Sequence, residues 1–253
     1  MITLDDIRSK VYFDFRKAQI EGMATERLGH IHVSDLIKPC MRYVAYSKFT
    51  PKMSDTEDVK SLFIGQAIHN LTVLNNSEYN EMFLGYDYVR DEPITLEEAK
   101  ALKPDDPRHL DIIYGSIDDL VKVGKEWVIC DKKTTGSIDW FSKDRSSASE
   151  SHVDQINCYR VLLQKCYNID ARYGSVIYIS NSISKEKVDK PSVKSFKLKP
   201  IEDTLAEMIE KARIIKDVLQ NKTLPERTKN FLCDGYCPYA TKCFTDDGEK
   251  IEN

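Results

Sequence analysis

The residue types with the most chemical potential lie on what reads as a β-hairpin. Gly115-Ser116-Ile117-Asp118 is followed by Val128-Ile129-Cys130-Asp131-Lys132-Lys133, with Gly124-Lys125 between them as the turn. Alternation along a strand puts Asp131 and Lys133 on one face and Lys132 on the other. Asp118 lies thirteen residues before Asp131 across the turn, so the two carboxylates can stand side by side. Adjacent carboxylates repel each other and draw a divalent cation between them. A lysine two residues on can orient the attacking water or stabilise charge developing on a phosphate. That is the chemistry of metal-assisted phosphodiester hydrolysis. The triplet Pro104-Asp105-Asp106 offers similar letters, but it sits in a turn-like segment without the strand context.

Two further sets of side chains could join such a centre. His69, four residues after Gly65 on an expected helix, can supply a neutral imidazole as a third ligand. Gln155 and Tyr159, spaced i and i+4, share one face of a helix. The cysteines form a separate constellation. Cys233, Cys237 and Cys243 give a Cys-x3-Cys-x5-Cys array, and three thiolates this close can hold one face of a metal centre that needs a fourth ligand. Cys130 faces away from Asp131, and Cys158 and Cys166 lie on an apolar helix, so these three read as small buried hydrophobes. Cys40, in the loop-like run Lys38-Pro39-Cys40-Met41-Arg42, is placed to be the fourth ligand. Thiolates suit zinc and iron–sulfur clusters alike, and the spacing admits both.

The elements that must position these groups follow from periodicity. Helices are expected over 3–20, from Ser34-Asp35 to Tyr46 with Pro39 as an interruption, and over 56–74. Strands are expected over 82–89, 110–123, 127–133 and 174–180, with an edge strand over 194–198. A capped amphipathic helix over 147–166 carries Gln155 and Tyr159. Residues 201–219 form another, with Leu205, Ile209, Ala212, Ile215 and Val218 on one face. Helices followed by a strand-rich middle with an embedded helix imply an α/β or α+β fold with a mixed central sheet flanked by helices. The whole of 1–253 is read as one domain: a helical part at 1–78, a core at 79–220 and a cysteine-rich segment at 221–253.

Composition narrows the class. The 253 residues are 41% hydrophobic and 31% charged, which fills a core and excludes disorder as the main state. No run approaches the ~18 apolar residues of a membrane span, and the acidic N-terminus lacks the apolar stretch of an export signal. Seven cysteines, an odd number without such a signal, argue against a disulfide scaffold and for a reducing cytoplasm. The net charge of −4 leaves nucleic-acid binding to a local basic patch.

The order His69, Asp118, Asp131/Lys133, Gln155/Tyr159 resembles the RecB-type branch of the PD-(D/E)xK nuclease superfamily. Its motifs are Gly-x-x-x-His, Gly-x-x-Asp, (Asp/Glu)-x-Lys and Gln-x-x-x-Tyr. The resemblance implies a restriction-endonuclease-like core in which His69, Asp118, Asp131 and the Lys132 backbone carbonyl bind Mg²⁺ or Mn²⁺. It implies that Lys133 assists the attacking water while Gln155 and Tyr159 complete the site. An N-terminal cysteine joined to a C-terminal triplet resembles the CRISPR-associated exonucleases of the same branch. There four such cysteines, here Cys40, Cys233, Cys237 and Cys243, hold a [4Fe–4S] cluster. The sequence departs from that pattern in Cys40-Met41-Arg42, where the family usually has Cys-Pro-Arg, and in Asp131, where Glu is common. By resemblance the chain cleaves single-stranded DNA 5′-to-3′ during spacer acquisition, in a prokaryotic cytoplasm or, if virus-encoded, in that of the host. The alternatives are a partner-gated DNA-end module on an integrase, and a virus- or plasmid-borne recombination nuclease working with a helicase or recombinase.

For the nucleic acid itself, Arg42 and Tyr43 could grip a phosphate and stack a base, and Trp140, Phe141, Lys143 and Arg145 could flank a channel. Lys185, Lys187, Lys190, Lys194, Lys197 and Lys199 crowd the edge strand, where they serve equally well as charges that keep a sheet edge solvated.

Overall fold

A computed structural model of the chain describes residues 29–49, 77–103, 105–136, 147–180, 191–230 and 233–245. The helices expected over 3–20 and 56–74 lie outside these residues. So do His69, Trp140, Phe141, Lys143, Arg145, Lys185, Lys187 and Lys190.

In chain order, β1 (Ile31–His32) leads into a short helix α1 (Val33–Leu36), then α2 (Met41–Phe49). The single helix expected here is therefore two pieces. Pro39 has no amide hydrogen to continue the first, and the second starts just after Cys40. Next come β2 (Ser77–Asp87), β3 (Glu92–Pro93) and α3 (Leu96–Ala101). A 3-10 turn over Pro107–Asp111, capped by the Asp106 carboxylate, precedes the hairpin of β4 (Ile112–Val123) and β5 (Glu126–Thr135). Asp106 thus serves a turn and no catalytic strand. The hairpin reverses at Gly124, whose φ of 63° suits a residue without a Cβ. Helix α4 (Glu150–Tyr167), β6 (Ala171–Ser180), β7 (Ser192–Lys197), α5 (Ile201–Asn221) and α6 (Ala240–Thr245) complete the order.

Among the described residues the strands form one mixed seven-stranded sheet in the order β3-β2-β4-β5-β6-β7, with β1 beside β4. The β5–β6 and β1–β4 pairs are parallel and the others antiparallel. The β-branched runs of β4, β5 and β6 suit a pleated, buried surface. Helix α4 lies across the sheet, burying Ile156, Val161, Leu162 and Leu163 against Ile113, Ile117, Leu120, Ile129 and Val176. Helix α5 packs outside it. Its fully buried positions are Thr204, Met208, Ala212, Ile215 and Val218, whereas the expected Leu205 and Ile209 flank that stripe and are only partly buried. A smaller core of Ala45, Tyr46, Val218, Leu224 and Tyr239 joins α2 and the end of α5 to the C-terminal segment.

Candidate active site

The sheet forks where the chemistry is expected. One edge of β4 pairs with β1 at Ile113 and Tyr114, then with β5 from Asp119 to Val123. Asp119↔Cys130 is the last β4–β5 pair, and beyond it the strands part. At that point the Asp118 carboxylate replaces the ladder: its Oδ2 accepts the Lys132 backbone N–H at 2.6 Å. A residue's N–H and C=O face the same edge of a strand, so the Lys132 carbonyl looks into the same gap. Asp131, one residue back, is 2% exposed, and the Lys133 ammonium lies 3.0 and 2.9 Å from its two oxygens. Asp131 and Lys133 thus share a face, as alternation requires. Lys132 turns to the other face, where its ammonium lies 2.8 Å from Asp119. Asn80 supports that side, donating to Asp119 Oδ1 and to the Asp118 carbonyl.

Helix α4 brings the second group. Gln155 Nε2 donates to Tyr159 Oη at 2.7 Å, and both side chains are buried. Burial, followed by the negative charges of Asp131 and Asp118, holds the Tyr159 hydroxyl far above its ordinary pKa, so it stays protonated beside the carboxylates. The glycine of Gly-x-x-Asp has a packing reason. A Cβ on Gly115 would lie 3.1 Å from the Tyr159 ring.

Two neighbours escaped the sequence reading. Tyr178 lies opposite Lys133 in the parallel β5–β6 register, and its hydroxyl is 2.9 Å from His152 Nδ1. Positions 152, 155 and 159 form one helical face, and that spacing is the signal that could have found His152. Burial and then the Lys133 charge lower the His152 pKa to about 4. Ser149 stands at the N-cap position of α4 but makes no side-chain cap; its amide donates to Tyr178 Oη instead.

The donor set fits a hard divalent cation in kind: two buried carboxylates and a backbone carbonyl at one fork. Among the described residues no three His, Cys, Asp or Glu side chains converge as a complete ligand group, and His69 lies outside them.

Far along the chain, Cys40, Cys233, Cys237 and Cys243 line one pocket with Tyr43, Tyr46, Tyr239 and Phe244. Burial, and after it the other three thiols, pushes the Cys237 pKa up. Four thiols is the number that a cubane cluster or tetrahedral zinc takes, but among the described residues they are not gathered as a metal-binding group. Cys130 and Cys158 are buried, and burial lifts both thiols to about 12. Cys166 donates to the Gly85 carbonyl. All three behave as structural residues.

Arg42, expected on a nucleic-acid path, faces inward. It is 9% exposed, donates to the Pro225 carbonyl at 2.7 Å, and sets a guanidinium nitrogen 4.0 Å from Cys243 Sγ. Tyr43 packs edge-on against Tyr239, with the Lys38 ammonium over its ring. Both belong to the wall of the cysteine pocket. Lys199 pairs with Asp154 across to α4.

A profile of the PD-(D/E)XK nuclease superfamily matches residues 48–244. That is most of the chain, and the chain belongs to this superfamily. It is therefore a nuclease by family, with the carboxylate–lysine hairpin in the matched region. Among solved structures it is similar to SSO0001, with a TM-score of 0.54 at 16% identity over 96% of this chain and 98% of that one. This likeness bears on the fold alone. An alkaline exonuclease from Laribacter hongkongensis, LHK-Exo, aligns over 80% of this chain and 97% of its own at 11% identity and a TM-score of 0.31. The same exonuclease in complex with dAMP gives the same values. No curated protein matches. Among the described residues no helix is long and apolar enough to cross a membrane.

Proposed function

We propose that the chain is a divalent-metal-dependent deoxyribonuclease of the RecB-type branch, an exonuclease on single-stranded DNA working 5′-to-3′. The observation that carries the hydrolytic reading is the fork, where Asp118, Asp131 and Lys133 meet under Gln155 and Tyr159. Asp118, Asp131 and the Lys132 carbonyl, with His69, would hold Mg²⁺ or Mn²⁺. When bound, the cation supplies electrophilic polarisation of the phosphate and lowers the pKa of water. The Lys133 ammonium, fixed by Asp131, orients the attacking water and offsets charge on the phosphate as the P–O bond breaks. The protonated Tyr159 and Gln155 keep the carboxylates aligned from the helix side.

The cysteine pocket holds a [4Fe–4S] cluster in this reading, with zinc as the rival occupant. Four thiols on one pocket support a metal centre, and the nuclease motifs favour iron–sulfur. The role assigned is DNA trimming in CRISPR spacer acquisition in a prokaryotic cytoplasm, or in the host's for a virus-encoded chain, on the resemblance of the two motif sets. The chain acts as one domain, with the N-terminal part carrying Cys40 and the C-terminal segment clasping the 79–220 core.

The test is an anaerobic preparation assayed on single-stranded DNA labelled at either end, with Mn²⁺, Mg²⁺ or EDTA. Metal-dependent shortening that vanishes in Asp118→Ala and Lys133→Ala, with the cluster absorbance intact, is expected. The label lost first gives the polarity. Cleavage persisting in both variants sinks the site assignment. A protein with an intact cluster that binds DNA ends without cleaving them would instead be the partner-gated module.

A further inference from the structure

Between Asn80↔Asp119 and Met82↔Ile117 the β2–β4 ladder passes over one position, where Glu81 meets Asp118. Glu81 has a φ of 48°, in the left-handed region that a residue with a Cβ enters at a cost. Both strands change phase there. On β4, Ile113 and Ile117 lie in the core that α4 covers, while Ile112 and Tyr114 lie in a separate one, as alternation requires. Beyond the switch Leu120 is the position in the α4 core, and Asp119 turns to Lys132 on the opposite face. On β2, Met82, Leu84 and Tyr86 enter the α4 core, yet before the switch Tyr79 meets Trp127, which packs against that same core. A regular strand would send Ile117 and Leu120 to opposite faces.

Asp118 is the residue at which β4 changes phase. Its carboxylate reaches along the sheet to β5, where Oδ2 accepts the Lys132 N–H. Asn80 braces the switch, donating to the Asp118 carbonyl at 2.9 Å and to Asp119 Oδ1 at 3.2 Å. We infer that Glu81 is a positioning residue for the metal-binding carboxylate: its left-handed backbone switches the phase of β2 and β4 and so turns Asp118 into the fork. This rests on the reading of the fork as a divalent-cation site. The Glu81 side chain is exposed, so its packing does not impose the switch. Strain of this kind persists where the surroundings over-determine it, and here Ile117 and Leu120, both fully buried on one face, hold it.

Three substitutions remove the Glu81 carboxylate alike and differ in how they take a left-handed backbone: E81G freely, E81A at a cost, E81V at a larger one. Mn²⁺ affinity of the DNA-free protein is measured by calorimetry, beside melting temperature and the kcat and KM on single-stranded DNA. E81A should bind Mn²⁺ about tenfold more weakly than E81G, the weight of one left-handed residue with a Cβ. E81V should bind more weakly still, with kcat falling in the same order and KM for DNA little changed. A merely structural role would lower the melting temperature in that order and leave the Mn²⁺ affinities equal, which overturns the inference. E81G binding as weakly as E81V also overturns it, because the lost carboxylate then accounts for the effect. If E81V does not fold, E81G against E81A decides. Asp118→Ala runs in parallel. If it binds Mn²⁺ like the unsubstituted chain, the reading of the fork as a metal site has failed. If it loses Mn²⁺ while the position-81 variants rank otherwise than expected, the inference alone has failed.

Discussion

Lys132 Nζ lies 2.8 Å from Asp119 on the sealed side of β5, and Lys133 Nζ lies 2.9 Å from Asp131 on the open side. The sealed pair is 2% and 0% exposed, so its charges gain Coulomb energy but have lost their water. Removing one partner leaves the other buried and uncompensated. Asp119→Ala should therefore cost about 3–5 kcal/mol in denaturant unfolding, while the joint change Asp119→Leu with Lys132→Met should cost much less. Two histidines carry a pH dependence of known sign. His30, in contact with His109, and His152 both have folded pKa values of about 4 against 6.5 unfolded, chiefly through burial. Between those values the unfolded chain binds more protons, so stability should be unaffected above pH 6.5 and fall as pH drops towards 4. Melting temperatures across that range, with His152→Gln flattening the slope, check it.

At the scale of elements, the approach of α4 to β4 depends on Gly115. An added Cβ would lie 3.1 Å from the Tyr159 ring and 3.3 Å from Leu162 and Val33. Gly115→Ala should destabilise by about 1–3 kcal/mol and displace Tyr159, so cleavage should fall by more than the loss of folded protein explains. Thermal melts and assays on the same preparation separate the two effects. The hairpin, α4 and α5 were legible because alternation and the 3.6-residue period dominate their local sequence. Asp118, Asp131 and Lys133 were legible for the same reason: period two fixes their faces. The fork was not, because nothing local says that a side chain will take a ladder bond at Lys132. The break at Pro39 was foreseen as an interruption but not as two helices. The helix was expected to be capped from residue 147, whereas Ser149 holds the N-cap position without a side-chain cap, and its amide finds a partner twenty-nine residues away in sequence, on Tyr178. Arg42 looked like a surface cation because its carbonyl partner, Pro225, is 183 residues distant.

For the whole molecule, the cysteine pocket brings residue 40 beside residues 233–243 over the small core around Tyr46 and Tyr239, and the proposed metal centre would fasten them there. Closing so long a loop removes freedom mainly from the unfolded chain. On the cluster assignment proposed above, Cys243→Ser should lose the absorbance that assignment requires and lower the melting temperature, while the far-ultraviolet dichroism of the core stays in place. Normal absorbance in that variant would remove Cys243 from the ligand set. The forked sheet has a consequence of another kind. In an unbroken ladder an amide proton is shielded by a neighbouring carbonyl and exchanges with solvent only when the strands open. At Lys132 the shield is the Asp118 carboxylate, so this one amide, deep in β5, answers to the ionisation and occupancy of the site. Its exchange rate and chemical shift report on the Asp118 carboxylate from within the backbone, with no label attached.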